Sequence, residues 1–97
     1  MYGTIARLAP KPGHQDAIRQ LLVAWDRARR PHVRGVRASY VFVPDARPDD
    51  IYLVVLFDDE SGYRANADDP EQDAWYRQLR EHLSSDPEWM DGHFEAA

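Results

Sequence analysis

The chain contains no cysteine, which excludes a disulfide framework, thiolate catalysis and cysteine-held zinc or iron–sulfur centres. Long apolar runs are equally missing. The longest, Ile51 to Phe57, falls far short of the roughly 20 residues that a membrane helix needs. The N-terminus has no basic, then apolar, then small-residue export pattern, so a cytoplasmic location with no membrane partner is expected. An excess of positive charge is absent as well, since 17 acidic residues outnumber 12 basic ones and the net charge is −5. The basic side chains are scattered except for Arg27, Arg29, Arg30 and Arg34, which read as a solvated helix end whose cations suit the helix dipole. No nucleic-acid partner is expected.

What is present suits one ordinary domain. Ninety-seven residues, 43% apolar and 30% charged, leave room for a single core spanning residues 1–97. Tyr2, Thr4, Ala6 and Leu8 alternate with Gly3, Ile5, Arg7 and Ala9, which predicts a first strand over Tyr2–Ala9. Pro10, Pro12 and Gly13 end it. Ile18, Leu21, Leu22 and Trp25 recur at helical spacing, so a helix is expected over His14–Arg29.

A second strand, Val36–Val43, and a third, Ile51–Phe57, follow around the polar loop Asp45–Asp50. Both parities of the third are apolar, which places it centrally and covers it on both sides. Asp58–Asp68 reads as a short helix and Asp69–Ser84 as a longer one. For the second, Asp69 serves as cap, Pro70 takes the first position, and Gln72 completes a capping box. A last strand is expected over Trp89–Ala96.

The order β-α-β-β-α-β builds an α+β, ferredoxin-like, four-stranded antiparallel sheet with its helices on one face. The other face is left bare and apolar. Covering it favours a second copy of the chain, giving a homodimer.

The run Phe57-Asp58-Asp59-Glu60-Ser61-Gly62-Tyr63-Arg64-Ala65-Asn66-Ala67, then Asp69-Pro70-Glu71-Gln72, then Pro87-Glu88-Trp89-Met90-Asp91-Gly92, resembles the antibiotic biosynthesis monooxygenase family, as does Pro12-Gly13-His14. The resemblance implies a dimeric α+β barrel. The wider superfamily hosts oxygenases, isomerases, haem enzymes and ligand-binding regulators, so fold transfers better than function.

One branch degrades haem and carries an asparagine in the first strand, a tryptophan in the second helical region and a histidine beyond it. Here Tyr2–Ala9 has no asparagine, Asn66 stands at the tryptophan position and Tyr76 at the histidine position. That set is not met, although a tyrosinate can ligate haem iron and His82 lies nearby in sequence. The other branch oxidises polyketide-like phenols or anthrones without a cofactor. It needs an apolar pocket and polar groups that favour the electron-rich, deprotonated substrate.

By this resemblance Tyr63, Asn66 and Tyr76 are the expected catalytic residues. Trp75, Arg7, His82 and His93 are the expected substrate contacts. Plainer roles stand beside these: a strand-end ion pair for Arg7, a helix C-cap for Asn66, ring packing for the tyrosines and core packing for Trp25 and Trp75.

The four histidines include no pair at metal-ligand spacing in the sequence. Asp91, His93 and Glu95 share a strand face that reads more simply as an exposed edge than as a cation site. No metal and no cofactor are expected. The remaining alternative is a non-catalytic dimer that binds a small aromatic ligand or merely assembles.

Overall fold

A computed structural model describes all 97 residues. Four strands, β1 (Tyr2–Leu8), β2 (Val36–Phe42), β3 (Ile51–Phe57) and β4 (Glu88–His93), form one sheet in the order β2-β3-β1-β4, with every neighbouring pair antiparallel. Three helices, α1 (Gln15–Ala28), α2 (Glu60–Ala67) and α3 (Pro70–Arg80), provide the second layer. This is the expected α+β, ferredoxin-like arrangement.

Side-chain parity decides the two faces. In β1, Tyr2, Thr4, Ala6 and Leu8 are buried toward the helices, while Ile5 and Arg7 are only partly covered. In β3 the helix side carries Ile51, Leu53, Val55 and Phe57, and the far side carries Tyr52, Val54 and Leu56. Ala6 and Leu8, Ile18 and Leu22 of α1, Ile51 and Leu53, and Leu79 and Leu83 from α3 and its exit form one core. The far face keeps Tyr40 60%, Phe42 57% and Met90 61% exposed.

Several boundaries depart from the sequence reading. The helix expected to run from Asp69 to Ser84 stops at Arg80. The Arg80 guanidinium turns back there to donate to the Leu83 carbonyl at 2.9 Å and to Asp86 at 2.7 Å. Asp69 does cap α3, accepting from the Glu71 N–H at 2.9 Å. Gln72 does not close the capping box, because its Oε1 accepts from the Trp25 indole at 2.8 Å. Long-range burial of an indole N–H outcompetes a local turn.

The last strand ends at His93 rather than Ala96. In β2 the register shifts between Val36 and Ala38. One extra residue there turns Ser39 and Val41 toward the helices and Tyr40 and Phe42 away.

Arg29 corrects the reading of its cluster as a solvated face. Its side chain is only 13% exposed. It donates to Glu71 at 2.7 Å, to Asn66 Oδ1 at 3.2 Å and to Asp69 at 3.5 Å. The guanidinium fork ties the end of α1 to the α2–α3 junction.

Gly3 is the second residue of β1 and pairs with both β3 and β4. A Cβ there would collide with the Val55 carbonyl oxygen, whereas one at Gly92, directly across the β1–β4 pairing, meets nothing within 4 Å. Gly3→Ala is expected to destabilise by about 3 kcal/mol or more. Gly92→Ala should be nearly neutral, and chemical denaturation of the two variants compares them.

Candidate functional site

Between the sheet and the helices lies a cavity of about 360 Å³. It falls at the lower end of the range that small-molecule sites occupy, roughly 300–1,000 Å³. Its walls are aromatic: Trp25 from α1, Trp75 and Tyr76 from α3, and Trp89 from β4. The rings contact each other, with Trp25 and Trp75 centroids 6.3 Å apart and Tyr76 and Trp89 centroids 6.2 Å apart. Trp75 is also structural, since its indole donates to the Leu21 carbonyl at 3.3 Å and the ring packs on the core.

The polar end is built by α2 and β4. Asp59 starts α2 by accepting from the Gly62 N–H at 2.9 Å and from the Ser61 hydroxyl at 2.9 Å. Those bonds hold its carboxyl below the ordinary range, because they favour the charged form. The helix so anchored presents Tyr63, Arg64 and Asn66 to the cavity.

Asp91 faces the same space from the edge strand, opposite Thr4 in the β1–β4 pairing. The Tyr63 hydroxyl donates to Asp91 Oδ1 at 2.7 Å. Arg64 approaches Asp91 Oδ2 at 3.5 Å and donates to the Tyr2 hydroxyl at 3.0 Å. Burial, and then the bond to Asp91, push the Tyr63 phenol well above the usual tyrosine range. Burial, and then the charge of Asp86, raise Tyr76 as well. Both phenols are therefore neutral donors across the physiological range.

The structure brings Tyr63, Asn66, Trp75 and Tyr76 together around one cavity, and separates the other three expected contacts from it. Arg7 lies on the opposite face of the sheet, where Asp50 at 3.4 Å and Glu88 at 3.5 Å pair with it. Alternation along β1 puts Thr4, not Arg7, on the cavity side. His82 follows α3 and meets His14, their Nδ1 atoms 3.0 Å apart. His93 stands edge-on to the Tyr2 ring at 5.2 Å, outside the cavity lining. Asn66 lies inside α2 rather than at its C-cap, which is Asp68; Arg29 occupies its Oδ1 and leaves the amide hydrogens as donors.

Asp91 was the residue that sequence reasoning missed. Its alternation with Trp89 was visible, but an edge strand reads as solvated unless the helix that crosses it is known. The Gln72–Trp25 contact was hidden because only the packing of α1 against α3 brings the indole to Gln72.

Tyr63 sets a pH signature. Its folded pKa lies above the unfolded one, so its contribution to stability is complete below the ordinary tyrosine pKa of about 10 and is lost as pH rises through the folded value. In an absorbance titration of phenol ionisation, Tyr63→Phe should remove one of the latest steps. Asp91→Asn should bring that step down only part of the way, since burial is the larger cause.

No curated protein matches the sequence. Solved structures share the fold at low identity. Rv0793 from Mycobacterium tuberculosis is 19% identical with a TM-score of 0.81, over 99% of this chain and 96% of that one. A candidate antibiotic biosynthesis monooxygenase from Deinococcus radiodurans is 18% identical with a TM-score of 0.83, over 100% and 95%. NE2512 from Nitrosomonas europaea, a protein of unknown function, is 23% identical with a TM-score of 0.79, over 99% and 90%. At such identities the likeness speaks for the fold alone. The family model for antibiotic biosynthesis monooxygenase matches residues 1–78, from β1 through most of α3. With four-fifths of its length matched in sequence and its whole length matched in fold, this chain belongs to the antibiotic biosynthesis monooxygenase family.

Proposed function

We propose that the protein is a cytoplasmic homodimeric monooxygenase that oxidises a small phenol or anthrone in the cavity without a cofactor. One observation carries the reading: the Tyr63–Asp91 hydrogen bond of 2.7 Å closes one end of an aromatic-walled cavity large enough for a fused-ring substrate. Trp25, Trp75, Tyr76 and Trp89 would sandwich such rings.

Asp91 is the acceptor for a substrate proton, directly or through Tyr63. Arg64 and the amide hydrogens of Asn66 favour the oxyanion that results. The electron-rich anion then reduces dioxygen. For an anthrone, the methylene carbon gains one oxygen as a new carbonyl, and the second oxygen leaves with the two methylene hydrogens as water.

Haem fits these residues poorly. Tyr76, at the position where the haem-degrading branch has its ligand, is held neutral by burial, which opposes a tyrosinate bond to iron. His82 and His93 lie outside the lining. A second reading, a dimer that binds an aromatic ligand without turnover, is favoured by one feature. The Tyr63 hydroxyl and Asn66 Oδ1 already have protein partners in Asp91 and Arg29.

The dimer follows from the open sheet face. Ile5, Tyr40, Phe42, Tyr52, Val54 and Leu56 form an apolar surface there, and each such side chain gains roughly 1.5–3 kcal/mol on full burial. A second copy related by a two-fold axis covers it.

Two experiments test the reading. Anthrone or naphthol turnover, followed by quinone absorbance and oxygen uptake, should fall by about tenfold or more in Tyr63→Phe and Asp91→Asn. Asn66→Ala and Tyr76→Phe should also lower the rate; the melting temperature should barely move in Tyr63→Phe, Asp91→Asn and Tyr76→Phe, and should fall in Asn66→Ala, which removes a partner of the buried Arg29. Trp75→Ala should likewise lower the melting temperature. Binding without turnover in the wild type would favour the second reading, and no binding would sink both.

Sedimentation at micromolar concentration should show a dimer for the wild type and a monomer for Val54→Asp. Leu53→Asp, facing the core, should fail to fold. A monomeric wild type would remove the dimer.

A further inference from the structure

Ser39 of β2 takes no part in the oxidation step, yet its side chain lines the cavity. The register shift between Val36 and Ala38 is what sends it there. Without the extra residue, alternation from Val36 would turn Tyr40 inward and Ser39 outward. A small hydroxyl stands where a phenol ring would otherwise have filled the space.

Strand pairing sets its distance from Asp91. Ser39 lies opposite Val55, Val55 opposite Thr4, and Thr4 opposite Asp91, so one row of residues crosses all four strands. Each of these side chains lines the cavity, and together they make its floor. Three strand spacings of about 4.8 Å put the ends of the row about 14 Å apart. The middle is apolar in effect. Val55 has no polar atom in its side chain, and Thr4 turns its hydroxyl to the Met90 carbonyl at 3.2 Å.

The two ends differ. At one, Tyr63 and Arg64 already engage the Asp91 carboxylate. At the other, no protein group bonds the Ser39 hydroxyl, and the residue is only half-buried. A serine hydroxyl open to the cavity can both donate and accept.

We propose that Ser39 determines specificity: its hydroxyl bonds a hydroxyl or carbonyl oxygen on the end of the substrate remote from Asp91, so the ligand of this cavity is a fused-ring phenol carrying oxygen at both ends. The inference rests on the reading of the cavity as a phenol site. With a hydrogen bond of about 2.8 Å at each end of the floor, roughly 8–9 Å is left between the two oxygens. Opposite ends of a fused bicyclic or tricyclic system span that gap, and a single ring is too short. A ligand without the remote oxygen leaves the Ser39 hydroxyl unpaired against an apolar ring, which is how a site hydroxyl discriminates.

The test is calorimetric binding under nitrogen, where oxidation cannot proceed. The probes are 2-naphthol, with oxygen at one end, and naphthalene-2,6-diol, with oxygen at both. The wild type should bind the diol about tenfold more tightly. Ser39→Ala should cut that advantage to about twofold, the statistical gain of a symmetric ring with equivalent orientations, by weakening the diol and leaving 2-naphthol unchanged. Ser39→Thr, which restores a hydroxyl on a side chain suited to a strand, should recover most of the preference. A mere packing role would shift both probes together.

A wild-type preference of about twofold or less would overturn the inference, as would a larger one that Ser39→Ala keeps. In either result 2-naphthol still binds, and the phenol reading of the cavity stands. Failure of both probes to bind the wild type sinks that reading and this inference with it. The wild-type ratio decides even if a variant misfolds.

Discussion

Leu53 and Val54 are neighbours in β3, and both are apolar, yet the pleat sends them to opposite sides of the sheet. One set of helices can cover only one of those sides. That constraint orders the rest of the molecule. Leu53, Ile51 and Phe57 draw α1, α2 and α3 onto one face and make the core. Tyr52, Val54 and Leu56, with Tyr40 and Phe42 beside them, keep the other face apolar and only partly covered. Only 14 of 97 residues are buried, and Tyr40, Phe42 and Met90 on the far face stay largely exposed.

The cavity follows from how the helices sit on their face. Where α1 and the end of α3 meet the sheet, packing is tight around Ile18, Leu22, Leu79 and Leu83. Toward α2 the contacting pairs Trp25–Trp75 and Tyr76–Trp89 wall the cavity. Arg29 holds that end together. Its fork reaches Asn66 in α2, Asp69 at the cap of α3 and Glu71 beyond it, so the junction that carries most of the polar lining is fixed by one buried cation. Such a cation is stable only with its partners present, since burying a charge without them costs several kcal/mol. Site geometry and fold stability therefore share the same residues, much as Trp75 lines the cavity and packs on the core at once.

The polar chemistry of the cavity is sparse and concentrated. Tyr63, Asp91 and Arg64 form one connected set, and burial keeps both Tyr63 and Tyr76 protonated. Asp91 is the carboxylate of that set, and it comes from an edge strand that lies beyond the segment matched by the family model.

Element order, the two-sided character of β3, the Asp69–Pro70 helix start and the aromatic content of the second helical region were legible in the sequence. Each depends on neighbours a few residues away, where periodicity and turn chemistry act. Tyr63, Asn66, Trp75 and Tyr76 could be singled out together because they lie within a short stretch of chain. Asp91 joining Tyr63, Arg7 turning to Asp50 and Glu88, Gln72 leaving its capping box for Trp25, and His14 meeting His82 were decided by tertiary structure alone. These pairings join residues more than 25 positions apart. A sequence records which side chains can bond, but only packing determines which of them are brought within reach of one another.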